Sequence, residues 1–348
     1  PSEISLGLVG SEMCIRDRFD CTFYLDDIGT NYDHFQNSLR QFDWGERGVQ
    51  FKENSMREDW IRKVEEFAPD MIAVSVVEST YALGRQMIKC LPKEWKDTVV
   101  LWGGVFATFG AEKILGEGDG EYVNRGEGEL SIVEFCKRAR DGESLDDVPN
   151  IWTRQGGKLI GNQMRSEMVD LDNLPFADYS LFDDQAIYRP MQGQVWRTVG
   201  LETQRGCPFT CNFCNAYHEY FTKVNKFSDE YVKDELTYVA KRASAVGVGH
   251  LTILDNNFGM IPRDGGTAQV LADLKRQYGW PMSISAWTGK NAKERVIDLT
   301  QVLGETLSIS MSVQSVDEEV LGNVGRKNIK MEHYQEIADS LNSEGRPQ

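Results

Sequence analysis

Two kinds of hydrophobic pattern alternate along the first half of the chain. Short, nearly continuous apolar runs are typical of buried parallel strands, and apolar positions recurring every three or four residues are typical of one helix face. The runs lie at residues 19–25, 71–77, 98–102 and 121–124, and the helical patterns at 59–68, 83–91, 112–115 and 130–140. This alternation predicts an α/β fold with a doubly wound, Rossmann-like parallel sheet.

A second set of strand-like runs begins near residue 195. These runs lie at 199–203, 251–254, 282–286 and 306–311. A helical pattern covers 229–245, with Ser228 as its expected N-cap. Because a complete (β/α) barrel has eight strand–helix units, these four predict a partial, TIM-like barrel that is incomplete at its C-terminal end.

The segment between the halves and the start of the chain follow neither pattern. Residues 150–162 predict a β-hairpin with Gly156 and Gly157 at its turn, followed by a polar connector. Residues 1–18 resemble the translation of a sequencing adapter, so we expect them to be foreign to the protein. We therefore expect four segments: an artefact at 1–18, a first domain at 19–149, a hairpin and connector at 150–194, and an incomplete second domain at 195–348.

Composition and charge narrow the classes of function. Of 348 residues, 41% are hydrophobic and 26% charged, which is ordinary globular composition and excludes a disordered chain. The net charge of −16 argues against broad contact with a phosphate backbone, so we expect no nucleic-acid partner. The longest uncharged apolar stretch, residues 98–111, is shorter than the ~20 residues of a membrane span. With its clustered cysteines, the chain is expected to be a reduced, cytoplasmic protein.

Three of the seven cysteines form a Cx3Cx2C motif in the segment RGCPFTCNFCNAY. Cys207, Cys211 and Cys214 directly follow a predicted strand. Thiolates suit zinc or an iron–sulfur cluster. A closed zinc site needs four ligands, and His218 is the nearest candidate for the fourth. Three thiolates on a four-iron cluster would instead leave one iron open to a further ligand.

With Phe213 just before its third cysteine, this segment resembles the cluster motif of the radical S-adenosylmethionine (SAM) superfamily. The resemblance implies a [4Fe-4S] cluster held by Cys207, Cys211 and Cys214 and SAM bound at the open iron, with Phe213 beside it. It also implies reductive cleavage of SAM by an electron from an external donor of the flavodoxin or ferredoxin type.

The resemblance extends to two later strands. Asp255 and Asn256, in TILDNNFGM, match the family's second-strand motif near the SAM amino group, although a simple turn closing the strand remains an alternative. Gln314, Ser315 and Arg326, in SISMSVQSVDEEVLGNVGRKN, resemble a fourth-strand motif near the SAM ribose and carboxylate. Arginine suits a carboxylate because its guanidinium pairs with it bidentately, and an exposed loop arginine is the alternative.

The first half resembles the cobalamin-binding (B12-binding) domain that precedes many radical SAM domains. The similarity lies in FDCTFY, PDMIAVSVV, VVLWGGVFAT and RGEGE. Small residues at strand ends let a flat, bulky ligand approach the backbone. The residues expected to contact cobalamin are Ser75, Gly103, Gly104, Gly126 and Gly128. The sequence contains no Asp-x-His-x-x-Gly motif, so the resemblance does not supply the usual histidine ligand to cobalt.

Together the two resemblances imply a cobalamin-dependent radical SAM methyltransferase acting on an unactivated carbon of an unknown small molecule. Oxidation or ring closure by a cobalamin-using radical SAM enzyme is one alternative. A tRNA methylthiotransferase is another, but such enzymes usually carry three more clustered cysteines, and here Cys21, Cys90 and Cys136 are scattered. A non-catalytic corrinoid or iron–sulfur sensor is the third.

Overall fold

The protein forms two compact units, Pro1–Val169 with Asp184–Ala186, and Asp170–Asp183 with Ile187–Gln348. The architecture comes from a computed structural model. The residues that it describes are 6–10, 55–118, 120–166, 168–178, 188–191, 194–215, 223–288, 293–311, 315–326, 328, 332–333 and 335–337.

The first unit is built on a six-stranded sheet whose strands follow one another in sequence order. The strands are β1 (Leu6–Gly10), β2 (Met71–Ser75), β3 (Val99–Gly103), β4 (Tyr122–Asn124), β5 (Ile151–Gln155) and β6 (Lys158–Gly161). The pairs from β1 to β4 are parallel, whereas β5 and β6 join antiparallel. The predicted hairpin is therefore confirmed, and it extends this same sheet.

Helices pack on both faces of this sheet. They are α1 (Met56–Phe67), α2 (Glu78–Lys89), α3 (Gly104–Glu117) and α4 (Glu129–Asp141). Alternate residues of a strand point to opposite faces. Accordingly, Ile72 and Val74 lie in one buried cluster with residues of α1, α2 and α3, while Met71 and Ala73 lie in another with Phe135 of α4. The α/β fold class predicted from the sequence is confirmed.

Two differences from the sequence prediction have physical causes. Helix α3 is longer than the predicted 112–115, since it begins at Gly104 directly after β3. The prediction missed its first turns because their apolar sequence has no clear polar face. Strand β1 lies within the segment 1–18, which we expected to contribute nothing. An apolar five-residue run can pair with the free edge of a parallel sheet whatever its origin. The strand predicted at 19–25 lies outside the described residues.

The second unit contains a five-stranded sheet in the order β13-β12-β11-β8-β7. The strands are β7 (Tyr188–Met191), β8 (Gln194–Leu201), β11 (His250–Phe258), β12 (Ser283–Thr288) and β13 (Leu307–Ser310), and a small antiparallel pair comprises β9 (Gln204–Arg205) and β10 (Asn225–Lys226). Strands β8, β11, β12 and β13 pair in parallel, as expected for a partial barrel. Strand β7 pairs antiparallel with β8 and forms one edge of the sheet.

Helices connect these strands, and one face of the sheet is covered. The helices are α5 (Asp229–Val246), α6 (Asp264–Tyr278), α7 (Lys293–Leu303) and α8 (Glu318–Asn323). The predicted cap of α5 is confirmed, because the Ser228 hydroxyl accepts a hydrogen bond from the Tyr231 N–H at 3.1 Å. Leu251 and Ile284 are fully buried on the covered face, while Leu254 and Trp287 are half exposed on the other. None of the described helices has the length and apolar character that a membrane crossing requires.

Candidate functional site

The three cysteines lie in a loop, residues 206–215, which we call the cysteine loop. It follows β9 directly and begins at Gly206, whose φ of 86° turns the chain. Cys211 is buried, whereas Cys207 and Cys214 are partly exposed, and all three thiols are free. The Cys214 N–H donates to the Cys211 carbonyl at 3.0 Å, which makes a tight turn between the second and third cysteines.

Strand β11 holds the chain that enters the cysteine loop. The Asp255 carboxylate accepts hydrogen bonds from the Thr203 N–H at 2.6 Å, the Thr203 hydroxyl at 2.5 Å and the Gln204 N–H at 3.3 Å. The next residue, Asn256, donates its amide to the Gly206 carbonyl at 3.4 Å. Side chains of β11 therefore hold residues 203–206 in place through hydrogen bonds.

The third residue of this series contacts a cysteine itself. The Asn257 amide nitrogen lies 3.2 Å from Cys207 Sγ. Asn257 is buried, with 4% of its surface exposed. Asn257 shares the TILDNNFGM segment with the candidates Asp255 and Asn256, but the sequence does not predict its contact with a cysteine. Its contact spans 50 residues of sequence, a separation that local motif spacing does not predict.

Asp255 is more enclosed than its predicted role beside the SAM amino group suggests. Its side chain has no exposed surface, and both oxygens accept hydrogen bonds. Burial raises the pKa of Asp255 to about 6, against the opposing effect of the bonds from Thr203 and Gln204. Asn256, by contrast, is exposed. Contact of either residue with SAM stays a prediction.

The opposite side of the cysteine loop is held by the segment after α8. The Asn212 N–H donates to the Val324 carbonyl and its side-chain amide to the Asn323 carbonyl, both at 3.1 Å. Gly325 has a φ of 62°, and a Cβ atom there would lie 2.9 Å from the Thr210 carbonyl oxygen. The cysteine loop is thus fixed from two directions, by β11 and by residues 323–325.

The predicted fourth-strand residues lie next to this second contact. Arg326 is buried, with 4% exposed, so the alternative of an exposed loop arginine is wrong. Its Nε donates to Asn328 Oδ1 at 2.7 Å, and its guanidinium carbon lies 6.0 Å from the centre of the Phe213 ring. The Asn328 amide in turn donates to the Ser315 carbonyl at 2.7 Å. Gln314 and His218 lie outside the described residues.

In the first unit, Ser75, Gly103 and Gly104 meet where β2 and β3 end. The Val76 N–H donates to the Gly103 carbonyl and the Phe106 N–H to the Val76 carbonyl, both at 3.0 Å. Gly104 has a φ of 87°, and a Cβ there would lie 2.7 Å from the Val76 oxygen, so this turn needs glycine. A Cβ at Gly103 would meet no atom within 4 Å. Space for a ligand therefore opens at Gly103.

The glycines of RGEGE are held by buried polar side chains that the sequence analysis did not identify. The Gly126 N–H donates to the Thr108 hydroxyl at 3.0 Å, and the Asn124 amide donates to the Gly126 carbonyl at 3.2 Å. Gly128 caps the start of α4, where its carbonyl accepts from the Ile132 N–H at 2.8 Å. The β4–α4 loop is therefore fixed against α3, the helix that begins at the β3 edge.

Comparison with protein families assigns both units. Residues 27–135 match the B12 binding domain family, and residues 201–348 match the radical SAM superfamily. The chain carries a B12-binding domain and a radical SAM domain. The two strand-end arrangements described above lie within these two matches.

Two curated methyltransferases resemble the chain over about three quarters of its length. The cobalamin-dependent radical SAM methyltransferase TokK of Streptomyces tokunonensis is 27% identical over 277 residues, covering 77% of this chain and 40% of TokK. The 2-(S-pantetheinyl)-carbapenam-3-carboxylate methyltransferase of Streptantibioticus cattleyicolor is 26% identical over 281 residues, with the same coverage of each chain. The chain thus spans about two fifths of the length of these curated relatives.

A solved structure shows the same fold. The radical SAM methyltransferase TsrM from Kitasatospora setae, with cobalamin and a [4Fe-4S] cluster bound, aligns with a TM-score of 0.65 at 16% identity. The alignment covers 99% of this chain and 66% of TsrM. The similarity supports the fold expected from the sequence, an α/β domain followed by a partial barrel.

The radical SAM domain implies a [4Fe-4S] cluster and SAM, and its donor set fits them. Three thiols on one loop suit an iron–sulfur cluster, in which each thiolate binds a different iron. Among the described residues, no three His, Cys, Asp or Glu side chains are arranged to hold a single metal ion. His218, the fourth ligand in the zinc alternative, lies outside the described residues, so these residues do not test that alternative.

The B12-binding domain implies cobalamin, and the end of β3 fits a bulky ligand. Gly103 presents backbone without a side chain, and a Cβ there would meet no atom of the described residues within 4 Å. Ser75 is exposed beside it. Gly104 differs from both, because its lack of a side chain serves the close approach of Val76.

Proposed function

We propose that the chain is the cofactor-binding part of a cobalamin-dependent radical SAM methyltransferase that methylates an unactivated carbon of a small molecule. The observation that carries the proposal is the cysteine loop, which is fixed at the carboxyl edge of a partial barrel by β11 and residues 323–325. The B12-binding domain that precedes this barrel favours methyl transfer over the other reactions of the superfamily. Relatives named as methyltransferases support the same assignment.

In this proposal the cysteine loop holds the cluster through Cys207, Cys211 and Cys214. When bound, the cluster supplies the electron for reductive cleavage of SAM, and cobalamin supplies the methyl group. The chain's own contribution is geometry, because hydrogen bonds from Asn256, Asn257 and the main chain of residues 323 and 324 hold the loop in place. Cys211 is buried, so its bond to iron would be shielded from water.

SAM would be recognised by side chains on either side of the cysteine loop. Arg326 and Phe213 approach one another on the α8 side, and Asn256 is exposed on the β11 side. A guanidinium carries five N–H donors in a planar fork, a geometry that suits a carboxylate. We therefore assign the SAM carboxylate to Arg326, and leave the amino group to Asn256, since Asp255 is occupied by Thr203.

Partners and location complete the proposal. The reaction needs a one-electron donor of the flavodoxin or ferredoxin type and a small-molecule substrate, and it would take place in the cytoplasm. Radical oxidation or ring closure remains the second candidate reaction. It would yield deoxyadenosine without a methylated product, so product analysis separates the two.

The test is anaerobic reconstitution with iron and sulfide, followed by EPR spectroscopy of the reduced cluster with and without SAM. A spectrum that SAM changes would support an open iron at which SAM binds. A cluster whose spectrum is indifferent to SAM would overturn the proposal and favour a sensor. Retention of cobalamin after gel filtration, measured by its visible absorption, tests the first domain separately.

A further inference from the structure

We propose that Asn257 is a positioning residue that holds the Cys207 thiolate and raises the reduction potential of the cluster. The inference rests on the proposed function, because it requires a [4Fe-4S] cluster on the cysteine loop. Its basis is the contact of 3.2 Å between the Asn257 amide nitrogen and Cys207 Sγ. Nothing in the cysteine motif itself assigns a role to this residue, which lies on a different strand.

The geometry makes the amide a fixed donor. Asn257 is 4% exposed, so its side chain has little freedom to exchange this partner for water. The main-chain carbonyl of Asn257 accepts the Met260 N–H at 3.3 Å, which fixes the backbone at this position. Because a thiolate bound to iron has lone pairs but no proton, the amide can meet it only through an N–H.

Such a bond affects the two redox states of the cluster unequally. Reduction is the step [4Fe-4S]2+ + e– → [4Fe-4S]1+, with the electron supplied by an external one-electron donor and no proton moved. The added negative charge is partly carried by the thiolate sulfurs, and an N–H donor stabilises it more strongly in a buried environment. The Asn257 amide therefore favours the reduced cluster, the state that cleaves SAM.

Asn257 is also the last of three consecutive residues of β11 whose side chains bond to residues 203–207. Asp255 binds residues 203 and 204, Asn256 binds residue 206, and Asn257 binds residue 207. Asp255 and Asn256 bond only to main-chain groups and a hydroxyl, whereas Asn257 bonds to a sulfur. Thr203 therefore offers a matched control: its hydroxyl bond to Asp255 fixes the same segment without touching a cysteine.

The experiment compares Asn257→Leu, Asn257→Asp, Asn257→Gln and Thr203→Val in the full chain, reconstituted anaerobically with iron and sulfide. Iron per chain is measured first, and then the midpoint potential by dithionite titration followed by EPR without SAM. We expect the Leu and Asp variants, which lack an N–H donor, to shift to more negative potentials. A shift on the order of tenfold in the ratio of reduced to oxidised cluster corresponds to about 59 mV for one electron. Asn257→Gln should recover part of the shift, and Thr203→Val should keep the wild-type potential.

Each outcome separates tuning from simple support of the loop. Wild-type potentials in Asn257→Leu and Asn257→Asp would overturn the proposal. Loss of iron from these two but not from Asn257→Gln or Thr203→Val would support it, while equal loss from all four would overturn it. A wild-type chain that assembles no cluster would instead refute the proposed function.

Discussion

The carboxylate of Asp255 binds Thr203 twice, through its main-chain N–H at 2.6 Å and its hydroxyl at 2.5 Å. These bonds join β11 to the residue that immediately precedes β9, and β9 leads into the cysteine loop. Both partners are buried, Asp255 completely and Thr203 with 4% exposed. The same bonds therefore lie in the buried interior of the second unit and position the residues that lead into the cysteine loop.

The first prediction concerns the pH dependence of this buried pair. Burial raises the pKa of Asp255 to about 6 from an ordinary value of 3.8, so the folded chain holds this proton more tightly than the unfolded chain. The stabilisation is complete below the unfolded pKa and is lost as pH rises through about 6. At about 1.4 kcal/mol per pKa unit, the total change is about 3 kcal/mol.

The measurement is the free energy of unfolding in urea for the wild type and Asp255→Asn, both without cofactors, from pH 4 to pH 8. The asparagine cannot titrate, so the wild type should lose stability relative to the variant as pH rises. Subtracting the two curves removes the contribution of the other acidic residues. A difference that stays constant across this range would contradict the prediction.

The second prediction concerns the cluster ligands. Cys207→Ala, Cys211→Ala and Cys214→Ala should each abolish cluster assembly, because a four-iron cluster on three thiolates has no ligand to spare. Cys90 and Cys136 pack against the cores of the first unit, and burial raises the pKa of both thiols. Cys90→Ala should therefore keep the full iron content. The measurement is the iron content per chain. A wild-type iron content in any of the three cluster-ligand variants would contradict the ligand assignment.

Much of this fold is predictable from local pattern. Strands β2 and β3 are short apolar runs, and the Ser228 cap of α5 is visible because serine precedes an acidic first turn. The predicted ends of an element are wrong where its hydrophobic pattern is ambiguous. The first eight residues of α3, GVFATFGA, contain no charged residue that would mark a polar face, so they carry no helical periodicity. The backbone also leaves the helical region at Gly110.

The candidate site is predictable only in part. The Cx3Cx2C spacing predicts Cys207, Cys211 and Cys214 as ligands because residues this close in sequence can reach one cluster from a single loop. The residues that hold this loop, Asn257 and Asn323, lie 50 and 111 positions away from their partners. Such contacts depend on how the strands stack, which no local spacing encodes. The motif therefore predicts which residues bind the cluster, and the fold shows which residues hold the loop that carries them.

The third prediction compares the two glycines after β3. Gly104→Ala should destabilise the first unit by at least about 1–3 kcal/mol, because its φ of 87° disfavours a side chain and the new Cβ would lie 2.7 Å from the Val76 oxygen. Gly103→Ala should stay within about 0.5 kcal/mol of the wild type, since its φ of −146° is ordinary and the space is empty.

The matched pair also tests the cobalamin assignment. If cobalamin lies against Gly103, the alanine variant should fold normally and retain less cobalamin after gel filtration. Thermal unfolding without cofactor gives the stability, and visible absorption gives the bound cobalamin. Undiminished binding by a correctly folded Gly103→Ala would count against contact at this position.

The last prediction concerns Arg326 and recognition of SAM. Arg326→Gln keeps a donor for Asn328 but loses the planar, charged fork that pairs with a carboxylate. The cysteine loop should survive, because its contacts in this region come from the main chain of residues 323 and 324. We therefore expect wild-type iron content and an EPR spectrum that responds to SAM only at concentrations about tenfold higher or more, since a hydrogen bond between charged groups contributes about 1.5–3 kcal/mol. Arg326→Lys keeps the charge without the fork and should lie between the two. If Arg326→Gln responds to SAM at the same concentrations as the wild type, Arg326 holds the α8 segment in place and the carboxylate binds elsewhere.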